Sequence, residues 1–463
     1  LEEAEVSYRK AIVLQPDYPE AHFNLGITLQ IQGRFKESAE TCRQILDKKS
    51  IVVSAERKAP ITALLSHGRS GTMFFHSLLD GHPDLATLPG VYFKGWFALD
   101  SWQRFAPYLT KPDWQENIVR ALVEEYKPLF NSNSQKNVFG EPLDGSWLAR
   151  DTGFTAMGPE GTQFFVVDED SFSRTLISLL RPLQSITCNY FFELIHRAFE
   201  IAIRGRSNLR NESVGHIFYH IHNPNILEKT NFLQHYPEAR LLFLTRNPIQ
   251  SLESLIILGM ASARDTNKMF LFWSELVDKI VNMFIIMRTG DSDDRLHRGI
   301  KLEDIKHNPT SVMPQIAAWM GIPDHPSLYD SSFCGMQYWG PAGAGNHVSI
   351  TGFDKKAINH SIGRFFGERD IDIFETLLWP FLSLYGYTNM DVTDFRKKLP
   401  TIRIWLKDPL EFEIKLYEAL PEGKSQLQDT SSYKRLHHFL NQMWFTLDKE
   451  GTYKAMFQPL KLD

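Results

Sequence analysis

Short apolar runs, most of them separated by helical stretches, constrain the fold of this chain more than any other feature. Runs of strand length occur at 61–65, 164–167, 216–221, 241–245 and 299–302. Alternation of short strands with helices is typical of a mainly parallel sheet whose connections cross over its faces. We therefore predict an α/β fold with a mainly parallel sheet flanked by helices.

A helical repeat precedes this α/β region. Ala4, Tyr8 and Ala11 recur 34 residues later as one small and two apolar residues, and a Leu-Gly pair at 25–26 lies between the two sets. A period of 34 residues with this pattern resembles the tetratricopeptide repeat (TPR), and an ordinary helical hairpin is the alternative. The resemblance covers residues 1–47, about one and a half repeats. Since at least about three repeats are needed for stability, we expect others before the first residue.

Composition excludes several classes of protein. With 463 residues, 43% hydrophobic and 23% charged, the chain is neither disordered nor fibrous. A net charge of −5 gives no general basic field for nucleic acid. Three widely separated cysteines form no disulfide framework and fit a reducing compartment, and no apolar run approaches the roughly 20 residues of a membrane span. We expect a cytoplasmic protein.

The first candidate site is the turn after the run at 61–65. Its residues are Gly68, Arg69, Ser70, Gly71 and Thr72, and a predicted helix follows at 72–79. Glycines allow a tight turn with exposed N–H groups, and a helix N-terminus adds the positive end of its dipole. The two hydroxyls and the arginine add further donors, so the turn predicts a phosphate cradle. The segment lacks the GxxxxGK[ST] pattern of a Walker A loop.

A second candidate site follows the run at 241–245. Arg246 stands at the strand exit, Pro248 suits a first helical turn, and Ser254 lies eight residues after the arginine. An arginine and a hydroxyl in this arrangement can bind a second phosphate. A salt-bridged helix cap is the alternative role for this arginine.

These two motifs, in this order and about 175 residues apart, resemble those of the sulfotransferases that use 3′-phosphoadenosine 5′-phosphosulfate (PAPS). The resemblance implies that the first loop binds the 5′-phosphosulfate, that Arg246 and Ser254 bind the 3′-phosphate, and that Phe74 stacks on adenine. It also implies a P-loop-like core over residues 60–390. The repeats before that core resemble a bacterial TPR-sulfotransferase architecture.

Two later segments extend the resemblance. Residues 299–304 with the helix after Asn308 look like the strand of that family that ends in Glu-Asp. Residues 361–365 are similar to its late basic segment, which implies that Arg364 closes over the 3′-phosphate. One departure is Met73, where many members have a second threonine that could contact a phosphate.

The base that accepts the acceptor's proton is predicted from a second resemblance. Many members use a Glu soon after the first loop, but residues 88–94 contain no carboxylate. Cytosolic members use a His in a His-x-Pro segment before the second loop, and His222 stands in such a segment 24 residues before Arg246. We predict His222 as the base, with a structural histidine as the alternative. Should His222 fail, the acids of the inserted region, Glu141, Asp168 and Glu169, would be the next candidates.

Three segments have other possible functional interpretations. His220 and His222 share one face of a strand, as a zinc site would require, but no acid or cysteine lies at ligand spacing, so no metal is expected. The acids after 164–167 imitate a Walker B segment, yet solvated loop charges are the simpler interpretation. The basic run Arg204, Arg206 and Arg210 is expected to be a solvated surface.

The predicted organisation is a partial TPR segment (1–50), a sulfotransferase domain (60–390) with a variable acceptor region at about 90–215, and a helical extension (391–463).

The predicted reaction moves a sulfuryl group from PAPS to an acceptor hydroxyl or amine and releases adenosine 3′,5′-bisphosphate. The acceptor class stays open among small molecules, glycans and protein tyrosine, and the repeats are expected to bind a protein. The alternative is a TPR interaction protein whose nucleotide domain is catalytically weak.

Overall fold

The structure is a computed structural model. It describes residues 2–48, 59–98, 101–134, 157–206, 215–222, 226–262, 266–288, 295–339, 353, 355, 358, 362–418, 431–453 and 455–462. The acid Glu141, the Asn223–Pro224 part of the His-x-Pro segment, Arg210 and Ser361 lie outside the described residues.

A five-stranded sheet forms the centre of the fold. Its strands are parallel and follow the order β2-β3-β1-β4-β5. They are β1 (Ile61–Ser66), β2 (Leu85–Thr87), β3 (His216–His222), β4 (Arg240–Thr245) and β5 (His297–Lys301). Four of the five predicted runs are strands of this sheet, and the sheet is flanked by helices. The predicted α/β, P-loop-like class is confirmed.

Helices account for most of the remaining described chain. In order they are α1 (Glu2–Leu14), α2 (Pro19–Ile31), α3 (Phe35–Lys48), α4 (Thr72–Leu79), α5 (Trp114–Glu125), α6 (Glu169–Leu180), α7 (Cys188–Ala202), α8 (Ile226–His235), α9 (Pro248–Ser262), α10 (Thr266–Met287), α11 (Leu302–His307), α12 (Pro309–Met320), α13 (Glu368–Leu377), α14 (Trp379–Leu384), α15 (Val392–Trp405), α16 (Glu411–Glu418) and α17 (Ser431–Glu450). A short antiparallel hairpin, β6 (Ser332–Phe333) and β7 (Met336–Gln337), lies outside the main sheet.

The predicted strand at 164–167 was wrong. This segment makes only isolated bridges, one of them between Asn131 and Val166. The side chains of Phe164 and Val166 are 40% and 65% exposed, whereas Phe165 is buried. The continuously apolar run is therefore a half-exposed segment and not a buried strand. Strand β2 was not predicted, because three residues are too few to show a strand pattern.

The first three helices pack as an antiparallel series before β1. Gly26 on α2 allows α3 to approach closely, since a Cβ at this position would lie 3.1 Å from the Cys42 Sγ. The Ser38 hydroxyl donates to the Gly26 carbonyl over 2.7 Å. Helix α3 in turn packs on α8, so the amino-terminal helices lie against the sheet domain.

The last helices share the hydrophobic core of the sheet domain. The rings of Phe284 on α10 and Phe439 on α17 are stacked 6.2 Å apart. The end of the described chain borders β5, where the Gly299 N–H donates to the Gln458 carbonyl and the Leu460 N–H donates to the Gly299 carbonyl. The carboxy-terminal segment therefore covers the edge strand of the sheet.

The basic run after α7 is not a solvated surface, which corrects the sequence expectation. The Arg204 side chain is 11% exposed, and its Nη2 lies 2.7 Å from the Asp80 Oδ1. Arg206 pairs with the buried Glu200 over 2.9 Å. The arginines thus neutralise two buried acids beside β2. One of them, Asp80, lies more than 100 positions before Arg204, so the local sequence could not indicate this pairing.

Candidate active site

The candidate site lies at the carboxyl ends of three neighbouring strands. Strand β1 lies between β3 and β4 in the sheet, and Ser66 at its end is in register with His222 on one side and Leu244 on the other. In an open parallel sheet, ligands bind outside the carboxyl ends of the strands. The two predicted loops and the predicted base therefore converge at one edge.

The turn after β1 is tightly folded. Gly71 has a φ of 84°, and a Cβ there would come within 2.5 Å of the Leu302 side chain, so both backbone and space require glycine. Arg69 also adopts a positive φ, 66°. The Ser70 hydroxyl is fully buried and donates to the His67 carbonyl over 2.7 Å. Ser70 closes the turn, and this corrects the expectation that its hydroxyl binds phosphate.

Helix α4 begins at Thr72, as predicted, and is preceded by the Gly68–Gly71 turn. Its first-turn N–H groups lack partners within the helix, so they are available to an anion at the end of the turn. Phe74, however, is 4% exposed, with the Lys306 Nζ 3.9 Å from its ring centroid and Phe353 at its edge. The ring has no open face for adenine, so the implied stacking role does not fit this geometry.

Helix α9 follows β4 and positions Arg246. The Asn247 side chain accepts the backbone N–H groups of Ile249 and Gln250, which caps the helix that begins at Pro248. Arg246 is 6% exposed, and its Nε donates to the Gln250 side chain over 3.4 Å. Its Nη2 is buried and has no hydrogen-bond partner among the described residues. A buried guanidinium with an unsatisfied donor is suited to receive an anion.

Positive charge accumulates around Arg246. The pKa of Arg246 is lowered to about 10, mainly by burial and also by the neighbouring charges of Arg69 and Arg364, although Glu303 opposes the change. Three arginines from three separate segments therefore act on one region. Bound phosphate groups would offset their mutual repulsion.

The two loops are joined by direct contacts. The Arg69 Nε donates to the Ser254 hydroxyl on α9 over 3.3 Å. The Ser251 hydroxyl, one turn earlier on the same helix, donates to the Arg69 carbonyl over 3.4 Å. The structure therefore brings together Arg69, Arg246 and Ser254, which sequence analysis had assigned to two different phosphate contacts.

A buried glutamate connects α9 to the late basic segment, and sequence analysis missed it. Glu253 is fully buried and accepts backbone N–H groups from residues 363–366. Its Oε2 lies 3.6 Å from the Arg364 Nε. Glu253 stands within an apolar helix, and its partners lie about 110 residues later, so no spacing in the sequence could have indicated it.

His222 ends β3 beside the first loop. Its Nδ1 is buried and has no hydrogen-bond partner among the described residues. Burial lowers the pKa of His222 well below its ordinary value, and the charges of His220, Lys94, Lys279 and His67 act in the same direction. The imidazole is therefore neutral at physiological pH, which is the form that accepts a proton.

Lys94 acts electrostatically on His222, and Lys94 in turn acts on a second buried titratable group, Glu228. Glu228 is buried on α8 and accepts the Gly95 N–H over 3.0 Å. Burial raises the pKa of Glu228 to about 7, although this hydrogen bond and the Lys94 ammonium oppose the change. The charge of Lys94 acts on both Glu228 and His222. Glu228 and Lys94 belong to no recognisable sequence motif. What makes them unusual is their burial, which the local sequence does not indicate.

The alternative bases of the inserted region have structural roles where they are described. Asp168 caps α6 by accepting the Ser171 N–H over 2.9 Å. Glu169 pairs with Lys127 over 2.6 Å. Both carboxylates are therefore engaged at the start of α6, and they are not simply the solvated loop charges that the sequence suggested.

Within the described ranges, no group of three or more His, Cys, Asp or Glu side chains could hold a metal ion. The rings of His220 and His222 lie 5.3 Å apart, and His220 is buried with the ring of His76 5.6 Å away. No helix in the described part of the chain has the length and apolar character for crossing a membrane.

Two solved structures are similar to this chain. One is the sulfotransferase domain of the olefin synthase from Synechococcus PCC 7002, which is 14% identical, with a TM-score of 0.32 over 67% of this chain and 92% of that chain. The other is the sulfotransferase domain from the curacin biosynthetic pathway, which is 11% identical, with a TM-score of 0.30 over 67% of this chain and 95% of that chain. Neither likeness identifies a donor, an acceptor or a reaction for this chain.

No curated protein matches the chain significantly. A family model, however, matches its amino terminus. Residues 1–33, which contain α1 and α2, match the family model described as TPR repeat. The predicted repeat is therefore confirmed for this segment.

Proposed function

We propose that the chain is a sulfotransferase that moves a sulfuryl group from PAPS to an acceptor hydroxyl or amine and releases adenosine 3′,5′-bisphosphate. The observation that carries the proposal is the convergence of Arg69, Arg246 and Ser254 at the ends of β1 and β4, with an unsatisfied donor on Arg246. PAPS carries phosphate at both the 3′ and the 5′ position of its ribose, so its binding requires two such anion sites on one surface. The motif resemblance supports the choice of this donor.

In this proposal the first loop binds the 5′-phosphosulfate. The N–H groups at the start of α4, the Thr72 hydroxyl and the charge of Arg69 surround the phosphate. As the bond between sulfur and the bridging oxygen breaks, negative charge develops on that oxygen, and these donors stabilise it. Because the donors are fixed by the Gly71 turn, little reorganisation is needed at the moment of reaction.

Three side chains hold the 3′-phosphate in the proposal. Arg246 offers its buried guanidinium, Ser254 its hydroxyl, and Arg364 its partly exposed guanidinium. Binding would satisfy the Arg246 Nη2 atom. Charge-assisted hydrogen bonds of this kind are worth about 1.5–3 kcal/mol each.

His222 is the proposed base. It lies at the end of β3, next to the strand that carries the first loop, so an acceptor beside the phosphosulfate would lie close to it. The neutral imidazole takes the acceptor's proton as the acceptor oxygen or nitrogen attacks sulfur. Its depressed pKa makes it a weaker base than an exposed histidine but keeps it unprotonated in acidic solution.

The proposal assigns charge neutralisation to the arginines and requires no metal. Activity should therefore survive treatment with a chelator. Stoichiometric zinc in the purified chain, lost together with activity on chelation, would overturn this part of the proposal. The TPR segment is proposed to bind a protein partner, and the acceptor class stays open among small molecules, glycans and protein tyrosine.

A screen of acceptor pools with labelled sulfate donor tests the proposal. Small phenols, glycans and tyrosine peptides should be included, and transfer of label to one pool is the expected result. Tight binding of adenosine 3′,5′-bisphosphate without transfer to any pool would favour the alternative, an interaction protein with a catalytically weak nucleotide domain. The same screen with the Arg246→Ala variant gives the background that a damaged donor site produces.

A further inference from the structure

One buried carboxylate organises the segment that carries Arg364. Glu253 directly precedes Ser254 on α9, and its side chain is fully buried. A single oxygen, Oε1, accepts the N–H groups of Gly363 over 3.2 Å, Phe365 over 2.6 Å and Phe366 over 3.0 Å. The backbone on both sides of Arg364 is therefore attached to α9 at one point.

The second oxygen of the same carboxylate acts on Arg364 itself. It lies 3.6 Å from the Arg364 Nε, and the Arg364 side chain is 34% exposed. The arginine therefore has one part of its guanidinium near Glu253 and another part accessible to solvent. The contact with Glu253 restrains the direction of the Arg364 side chain, and the exposed part of the guanidinium can still contact a ligand.

Glu253 is unusual in this helix because it is a buried residue that carries a carboxylate. A buried carboxylate is stable only when hydrogen bonds and opposite charge replace its water shell. Within the part of the chain that the structure describes, the hydrogen-bond and ion-pair partners of Glu253 belong to residues 363–366, although its own helix is otherwise rich in apolar residues. A leucine in its place would pack into α9 but would leave three N–H groups of the segment without an acceptor.

The charge of Arg364 acts in the same region as that of Arg246, since each of Arg69 and Arg364 lowers the Arg246 pKa. Glu253 is next to Ser254, which contacts Arg69. The residue that fixes the late segment is therefore adjacent in sequence to a residue of the anion site. A displacement of residues 363–366 would remove one cation from that site and leave Arg69 and Arg246 where they are.

We infer that Glu253 is a positioning residue that orders residues 363–366 and directs Arg364 toward the 3′-phosphate of the bound nucleotide. The inference rests on the proposed function, because the 3′-phosphate belongs to the proposed donor. Glu253 itself touches no ligand in this account. Its effect is confined to the part of the site that recognises the 3′-phosphate.

Calorimetry with two nucleotides tests the inference in the full chain. Glu253→Ala should weaken adenosine 3′,5′-bisphosphate about tenfold to a hundredfold, which is the effect of losing one charge-assisted contact. Binding of adenosine 5′-monophosphate, which lacks the 3′-phosphate, should change little. Arg364→Ala should give the same pattern, and the double variant should be no weaker than the worse single variant, since both changes remove one contact.

Glu253→Gln separates charge from hydrogen bonding. The amide oxygen can still accept the three N–H groups, but the attraction for Arg364 is lost. This variant should show a smaller loss for the bisphosphate, roughly threefold to tenfold, and again little change for the monophosphate. It also keeps the test decisive if the alanine variant does not fold.

Hydrogen exchange of the ligand-free protein gives a readout that is independent of nucleotide binding. The amides of 363–366 should exchange faster in Glu253→Ala and remain protected in Arg364→Ala, because only the first variant removes their acceptor. Unchanged exchange in Glu253→Ala overturns the inference, as does unchanged bisphosphate affinity in both Glu253 variants. Failure of the wild type to bind bisphosphate would instead overturn the proposed function, and exchange would still report on Glu253.

Discussion

The Arg69 guanidinium donates its Nε hydrogen to the Ser254 hydroxyl over 3.3 Å, although the two residues are 185 positions apart in sequence. This contact joins the turn after β1 to the helix after β4. It connects the two proposed anion sites directly at the edge of the sheet. Changes in either loop are therefore expected to alter the binding of a ligand that spans both.

Replacement of His222 tests the proposed base. His222→Ala should slow the chemical step by roughly 10²–10⁴, the usual contribution of a positioned base. Nucleotide binding should remain nearly intact, because the arginines lie on other strands. Single-turnover kinetics with an acceptor recovered from the screen measures the step, and the buried His220→Ala is the neighbouring control with a milder expected effect. A normal single-turnover rate in His222→Ala would remove it from the mechanism.

The pH dependence of turnover follows from the burial of His222. Because the folded-state pKa of His222 lies well below 6.5, the imidazole stays neutral as the pH falls through 6.5. Protonation, which would abolish base catalysis, occurs only at lower pH. We expect kcat to stay flat from about pH 8 to about pH 6, whereas an unperturbed histidine would halve it near 6.5. An acidic limb centred near 6.5 would contradict this account of the base.

Substitution of Gly71 tests the geometry of the first loop. In Gly71→Ala the residue keeps an unfavourable positive φ and also meets the Leu302 side chain at 2.5 Å. Gly335→Ala is the matched control, since Gly335 has a φ of 75° with open space around it. Both variants should lose about 1–2 kcal/mol from backbone strain, but only Gly71→Ala should also lose nucleotide affinity. Chemical denaturation and calorimetry measure the two effects, and equal nucleotide affinities in the two variants would argue against a cradle at Gly71.

The buried ion network beside β2 predicts a large effect on stability. Arg204→Ala would leave the buried Asp80 without its partner cation and would leave the buried Glu200 with Arg206 alone. The loss should be about 3–5 kcal/mol in the free energy of unfolding. Arg43→Ala is the control, because its pair with Glu40 is exposed and should contribute about 1 kcal/mol or less. Similar unfolding free energies for the two variants would show that Arg204 is solvated, as its sequence context suggested.

Elements with a strong local pattern could be predicted from the sequence. Strand β1 and helix α4 were predicted within one residue, because a buried apolar run, a glycine turn and a helical period follow one another directly. Pro248 was expected in a first helical turn and begins α9. The convergence of Arg69 with Ser254 follows from the parallel sheet, which places the ends of β1 and β4 side by side.

Features set by distant contacts could not be predicted in this way. Glu253 depends on residues about 110 positions later, and the depressed pKa of His222 depends on burial by several segments. Ser70 has the right chemistry for a phosphate contact, but its hydroxyl points to the His67 carbonyl. Phe74 has the right residue type for stacking, but the packing of Lys306 covers its ring.

The most direct test of the central claim is a calorimetric titration of the full chain with adenosine 3′,5′-bisphosphate. The account predicts binding by the wild type and by the Arg43→Ala control. It predicts that Arg69→Ala and Arg246→Ala each weaken binding roughly tenfold to a hundredfold, since each removes a charge-assisted contact. No binding by the wild type, or unchanged affinity in both the Arg69→Ala and Arg246→Ala variants, would contradict it.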